Sequence, residues 1–341
     1  MKKLKVGVLY GGPSSEREIS LVTGKGVCEN LDAKKYEILP IEITNDGKFY
    51  LDRKFYNQLN SKNKKLKTSA KKELVNFQNK TNKGVDLFFI AMHGSPGEDG
   101  KLQGMLECLG VPYTGPGVLS SALGMNKVYS GLTYYSWHLP HPAFIDITAK
   151  NWKKHKKEVL KAINDSVGYP CVIKPVDQGS AVGVSIVKTE SDLVKEITKT
   201  IKKFPWLMAQ KFIKGKEATC GILEKKGEPF ALPPTHIMPQ LGRFYDYKSK
   251  YAEGGSKHVC PADFPPEINK IMQEYALAAH RALNCCGMSR SDFFYGDDGK
   301  VYIIETNTIP GMTPTSLFPE AAAKAGIPFP KMLDMIIEAA V

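Results

Sequence analysis

No stretch of the chain approaches the roughly 20 apolar residues that a membrane span requires, and the apolar run after the basic MKKLK start is too short for a signal peptide. There is no internal repeat, no CxxC pair and no histidine at zinc spacing around the seven cysteines, Cys28, Cys108, Cys171, Cys220, Cys260, Cys285 and Cys286. An odd number of scattered cysteines argues for buried thiols rather than a disulfide framework. Together these absences predict a cytoplasmic protein with no membrane partner.

What is present is ordinary globular composition, 42% hydrophobic and 24% charged over 341 residues. That length exceeds what a single core usually fills, so two or three domains are expected. The formal net charge of +12 admits nucleic acid, an anionic surface or anionic small ligands. Much of it lies in SKNKKLKTSAKKELVNFQNKTNK (61–83), which has few apolar residues and no aromatic-glycine pattern of an RNA-binding sheet. A solvated insertion is the favoured reading and a nucleic-acid patch the lesser one.

KLKVGVLY (3–10) is an apolar strand that opens directly into GGPSSEREIS and a capped helix. YEILPIEI (36–43) and VDLFFIAMHG (85–94) are further strands, the last too buried to alternate. They predict an N-terminal parallel α/β domain with a site at its strand ends. A break near YTGPG (113–117) is followed by one helix through SSALGMNKVYSGLTYYSW and by the strand HPAFIDI. An α+β unit continues to WLMAQKFI (206–213). From Gly215 come hairpin-like strands, a long polar stretch from His236 to Lys257, a helix from Pro266 to Asn284, and the strands MSRSDFFY and KVYIIETN around the turn GDDGK.

Several constellations carry chemistry. In YPCVIKPVDQGSAVGVSIVK (169–188), Lys174 interrupts an apolar strand just before a loop whose Gly179, Ser180 and Gly183 let backbone N–H groups approach a ligand. A lysine beside such a loop suggests phosphate. Asp292 and Glu305, on adjacent strands joined by a tight turn, can lie side by side, and Asn307 shares a face with Glu305 by the period of two. Oxygen ligands on one face fit Mg²⁺, which leaves its other positions to phosphate and water. PGMTPTSL (310–317) runs into a helix N-terminus at Ser316, an anion site when it lies beside a metal. Glu16 and His93 occupy strand-end positions.

The motifs GGPSSEREIS, HGSPGEDGKLQGMLE, GMNK, YPCVIKP with QGSAVGVS, YDYKSKY, RSDFF and ETNTIPGMTPTSL stand in this order along the whole chain. The set resembles bacterial D-alanine:D-alanine ligases of the ATP-grasp fold. The resemblance implies three domains, 1–116, 117–213 and 214–341, a homodimer formed through the first of them, and ATP held between the other two with two Mg²⁺, Mn²⁺ being an alternative. It assigns Lys127 and Lys174 to ATP phosphates, 178–185 to a lid over the triphosphate, Gln210, Lys211 and Ile213 to the adenine side, and Glu217 to the ribose. Asp292, Glu305 and Asn307 match the metal ligands. Glu16, with His93 near it, matches the site of the first D-alanine's ammonium. Arg290, Gly311, Ser316, Leu317 and Lys250 match groups around the second D-alanine and the reacting centre. Ser180 and Tyr251 join Glu16 in fastening the lid and the 236–257 loop.

Two positions depart from the family pattern. Gln210 stands where a glutamate is usual at the adenine amino group, and Ala181 replaces a second lid serine. The implied reaction is ATP-dependent ligation of two D-alanines through an acyl phosphate, supplying a peptidoglycan precursor. Rivals are ligation of D-alanine to D-lactate or D-serine, and an ATP-binding protein that has lost ligation.

Overall fold

The computed structural model describes residues 2–60, 84–240, 255–313 and 316–341, and the backbone of a short strand at Lys72–Leu74. Three sheets organise them. The first contains β1 (Leu4–Gly11), β2 (Tyr36–Ile43), β3 (Phe49–Asp52), β4 (Lys72–Leu74) and β5 (Leu87–Ile90) in the order β4-β3-β2-β1-β5. β1 lies parallel to β2 and β5, while β3 and β4 extend the edge antiparallel. The sequence marks only the three parallel strands. The other two are four and three residues long, too short for a period of two to show. The third apolar run also ends earlier than its hydrophobicity suggests, at Ile90, which leaves His93 on the following loop.

At its C-terminal end β1 turns through Gly11 and Gly12, with φ of 88° and 91°, a region open to glycine at little cost. The turn delivers Glu16 to the N-cap position of the helix Arg17–Asn30. Beyond this domain, the single helix expected through 120–137 is two, Val118–Met125 and Lys127–Ser136. Asn126 breaks it by adopting an extended conformation and accepting hydrogen bonds from the backbone N–H groups of Val128 and Tyr129. Lys127 therefore opens a helix, and its N–H donates to Val176 O at 3.0 Å.

The second sheet is antiparallel, with β6 (Phe144–Thr148), β7 (Cys171–Pro175), β8 (Ser185–Val187) and β9 (Trp206–Lys211) ordered β6-β9-β7-β8. Its faces differ by alternation. Cys171, Ile173, Val187, Leu207 and Ala209 are buried in one core with Val159 and Ile163 of the helix Lys156–Ser166 and Leu193 and Ile197 of the helix Glu190–Thr200. Val172, Lys174, Met208 and Gln210 share the opposite face.

The third sheet, also antiparallel, holds β10 (Gly215–Lys225), β11 (Glu228–Ala231), β12 (Thr235–Pro239), β13 (Ser256–Val259), β14 (Met288–Gly296) and β15 (Val301–Asn307). The helix Pro266–Ala282 packs Ile268, Met272, Ala276 and Ala279 into its core. The C-terminal helix Phe329–Glu338 returns to the first domain, where Lys35 Nζ and Tyr36 OH reach the buried Asp334 carboxylate at 2.5 and 3.0 Å. One continuous apolar core joins the two at that seam. No helix among the described residues is long and apolar enough to cross a membrane.

Candidate active site

One cavity lies between the second and third sheets, and Lys127, Lys174, Ser180, Gln210, Glu217, Asp292 and Glu305 all line it. Lys174 is in the strand because the cavity face of β7 needs a charge that the core face could not tolerate. It is 6% exposed. Burial, aided by the charge of Lys127, lowers its pKa to about 8, against the pull of Glu305. Lys127 Nζ donates to Gln178 O at 2.8 Å and stands 3.3 Å from Glu305 Oε2. Two cations and a carboxylate are thus gathered under the loop 176–184, in a setting that favours a polyanion over water.

The register of β14 and β15 pairs Asp292 with Glu305 and Arg290 with Asn307, with an irregularity after Asp292. Asp292 is held by a fork from Arg290, Nε to Oδ1 and Nη2 to Oδ2, both at 2.9 Å. It also accepts from Thr219 Oγ1 at 2.7 Å and Asn307 Nδ2 at 3.1 Å. The Asn307 amide nitrogen faces Asp292, so its carbonyl oxygen is directed elsewhere. The two carboxylates, Asp292 and Glu305, face each other on paired strands as hard-oxygen donors suited to Mg²⁺. Among the described residues no group of three His, Cys, Asp or Glu side chains is placed to hold a metal ion by itself.

The first domain closes the far side. Ser180 Oγ donates to Glu16 Oε1 across 164 residues of sequence, and both side chains are buried. A methyl group on Gly179 would lie 3.0 Å from Glu16 Oε2, and one on Gly94 3.1 Å from the same atom. The loop adopts a tight turn here, with φ of 50° at Ser180 and 56° at Ala181, a region that costs L-residues roughly 1–2 kcal/mol each. His93 Nε2 lies 3.0 Å from Thr23 Oγ1. Burial, with the nearby Arg290 charge, lowers the His93 pKa to about 4, so the ring is neutral at pH 7.

The remaining assigned residues fall into two groups. Gln210, Lys211, Ile213 and Glu217 line the same cavity beside Val172, Ile186, Phe294 and Ile304. Ser316 Oγ accepts from Thr313 N at 3.1 Å, and a methyl group on Gly311 would lie 3.1 Å from it. Leu317 is buried at the start of the helix Leu317–Lys324. Lys250, Tyr251 and most of the lysine-rich 61–83 segment lie outside the described residues.

The D-Ala-D-Ala ligase N-terminus family model matches residues 5–116, and the D-Ala-D-Ala ligase C-terminus model matches residues 134–338. The chain belongs to the D-alanine–D-alanine ligase family. The D-alanine–D-alanine ligase of Caldicellulosiruptor bescii is 36% identical, over 100% of this chain and 96% of that one. A solved D-Ala:D-Ser ligase from Enterococcus faecalis is 32% identical with a TM-score of 0.87, each chain covered completely. The D-alanine–D-alanine ligase of Bacillus anthracis, solved in complex with ATP, is 31% identical with a TM-score of 0.74 over 99% of this chain and 97% of that one. The fold is thus the mixed α/β ATP-grasp architecture of these ligases.

In this family member two further polar groups belong beside the site. Glu98 is half-buried in the loop after β5 and accepts from Gly94 N at 2.5 Å. Burial and the neighbouring Glu16 charge raise its carboxyl well above the usual range. Thr23 holds the His93 ring. Glu98 belongs to the quoted GSPGED run, but an acid between glycine and aspartate reads as a solvated loop charge. Only its approach to Glu16 shows otherwise.

Proposed function

We propose that the chain joins two D-alanine molecules into D-alanyl-D-alanine, cleaving ATP to ADP and phosphate, for peptidoglycan precursor synthesis. The observation that carries this is the junction at Ser180. The loop beside Lys127 and Lys174 touches Glu16 of the first domain, which supports a reading in which the nucleotide and amino-acid subsites meet at this loop. Domains 1–116, 117–213 and 214–341 would then supply the D-alanine side, the phosphate lid and the metal side.

Lys127, Lys174 and the N–H groups of 178–185 hold the triphosphate. Asp292, Glu305 and Asn307 would hold Mg²⁺, or Mn²⁺ in its place, which supplies charge neutralisation at the phosphates. Glu16 pairs with the ammonium of the first D-alanine, beside neutral His93. A carboxylate oxygen of that D-alanine attacks the γ-phosphorus, the bond to the bridging oxygen breaks, and ADP leaves with an acyl phosphate remaining. The second D-alanine, its carboxylate received by Ser316 and Leu317, attacks the carbonyl as a free amine. Arg290 and the Gly311 N–H stabilise the tetrahedral oxyanion, phosphate departs, and the amine gives up a proton. Exclusion of water protects the intermediate.

Product analysis with ATP and equal D-alanine, D-serine and D-lactate tests the substrate. D-alanyl-D-alanine is expected to dominate. A mainly D-alanyl-D-serine product would place the chain with the Enterococcus faecalis relative instead. Sedimentation tests the homodimer and a cytoplasmic fraction the location.

Two outcomes follow from the geometry. Ser180→Ala removes the hydrogen bond to Glu16, and kcat/KM for D-alanine should fall about 10- to 100-fold, as expected for a bond to a charged group. Phosphate release should then exceed peptide formation, because a looser lid admits water, and a one-to-one ratio would show that Ser180 does not seal the chamber. The second outcome concerns pH. Lys174 titrates near 8 without ligand, and a bound triphosphate raises that value. ATP binding should take up a proton above pH 8 and weaken by up to about tenfold per pH unit there, but not below. Calorimetry in buffers of different ionisation enthalpy checks it, and affinity flat from pH 7 to 9.5 would contradict the assignment.

A further inference from the structure

Gln210 sits one residue from the C-terminal end of β9, opposite Phe144 of β6 and Val172 of β7, and is 3% exposed. A nucleotide whose phosphates reach Lys127 and Lys174 leaves its base to the apolar part of the cavity, Val172, Ile186, Phe294 and Ile304, with Gln210 at hand to read the edge. A primary amide offers two donors on one side and an acceptor on the other, and its two orientations have nearly the same shape. Which side faces the base decides which base fits. The structure holds one side in place. Gln210 Nε2 lies 3.1 Å from His141 Nε2. An amide nitrogen can only donate, so the ring must offer a lone pair there, which requires a neutral histidine protonated on Nδ1.

The ring is itself fixed. It is 6% exposed and is packed by Tyr134, Tyr135 and Phe144, with ring centroids 5.7, 5.5 and 5.3 Å away. Burial and the Lys174 charge lower its pKa to about 3, so it stays neutral. The carbonyls of Ile304 and Pro142 favour a proton on the ring, although Nδ1 makes no hydrogen bond of good geometry.

We infer that His141 is a positioning residue for nucleotide choice: by accepting from Gln210 Nε2 it turns Gln210 Oε1 toward the base, where it accepts from an exocyclic amino group and rejects a 6-oxo group. The inference rests on the ATP site proposed above. A glutamate at position 210 would present oxygens on both sides and need no such partner. With glutamine the acceptor is directed only while His141 holds the other end. Without it, the amide can rotate and donate to a 6-oxo purine.

The test compares kcat/KM for ATP and for ITP, which has the same purine frame with an oxygen at position 6. The proteins are the wild type, His141→Leu, and His141→Leu with Gln210→Glu. Wild type should prefer ATP. His141→Leu should lose at least about tenfold of that preference, roughly one well-made hydrogen bond, partly through better use of ITP. The double variant should regain it, because a carboxylate only accepts. General damage to the fold would not be reversed in that way. ¹⁵N NMR of histidine-labelled wild type reads the tautomer directly, independently of whether the variants fold, and Nδ1 protonation is expected. An unchanged ratio in His141→Leu, no recovery in the double variant, or an Nε2-protonated ring would each overturn the inference. A wild type that ligates D-alanine equally well with either nucleotide would overturn it alone, whereas a wild type inactive with both would overturn the ligase reading with it.

Discussion

Lys174→Met should reduce ligation by at least about 10²- to 10³-fold, the loss typical of removing one preorganised charge from a phosphoryl-transfer site, while raising the melting temperature of the nucleotide-free protein. The two effects have one cause. Lys174 is buried, and its pKa of about 8 lies below the ordinary lysine value of 10.5. The folded state therefore disfavours the charged form. The sign follows directly: below pH 8 the residue is charged in both states and the penalty is complete, and it disappears as pH rises to the unfolded value near 10.5. Methionine fills similar space without the charge, so stabilisation of roughly 1–3 kcal/mol is expected at pH 7, fading toward pH 10. The lost attraction to Glu305 limits the gain, although Lys127 remains beside that carboxylate. Thermal denaturation at both pH values and a coupled ADP assay read the two halves. Wild-type turnover would remove Lys174 from the phosphate site, and a lower melting temperature would mean that it serves the fold.

The second large effect is expected at the carboxylate pair. Glu305→Gln removes one anionic oxygen ligand, so the Mg²⁺ concentration for half-maximal activity should rise about tenfold or more. Asp292→Asn should do the same and also lower turnover at saturating Mg²⁺, because Asp292 is gripped at both oxygens by Arg290. Without that anion the guanidinium loses the fork that holds it in the position proposed for oxyanion stabilisation. Comparing the two variants separates metal affinity from placement of Arg290. Unchanged Mg²⁺ titrations in both would put the metal elsewhere.

Much of this was legible in the chain because strands and turns are written locally. VYIIETN and SRSDFFY announce paired strands, and a lysine in YPCVIKP is conspicuous. The break at Asn126 was less visible, since apolar residues continue on both sides, no proline punctuates it, and the neighbouring Gly124 lies within the first helix. Its capping role depends on the side chain turning back onto Val128 and Tyr129. Contacts across long sequence separations were not legible from the residues themselves. Ser180 meets Glu16, the Glu98 carboxyl feels the Glu16 charge, and Asp334 ties the last helix to Tyr36. Ser180 and Glu16 were linked only through the family resemblance. Nothing in LPHPAF marks His141 as the partner of Gln210, because the two meet only when β6 and β9 align.

The most direct test of the central claim uses D-alanine carrying ¹⁸O in both carboxylate oxygens, with unlabelled ATP and Mg²⁺. If the first D-alanine is activated as an acyl phosphate, mass spectrometry will find one ¹⁸O in the phosphate released for each D-alanyl-D-alanine formed. Unlabelled phosphate accompanying the dipeptide would mean that the carboxylate never attacked the γ-phosphorus, and no dipeptide at all would contradict the assignment of ligation itself.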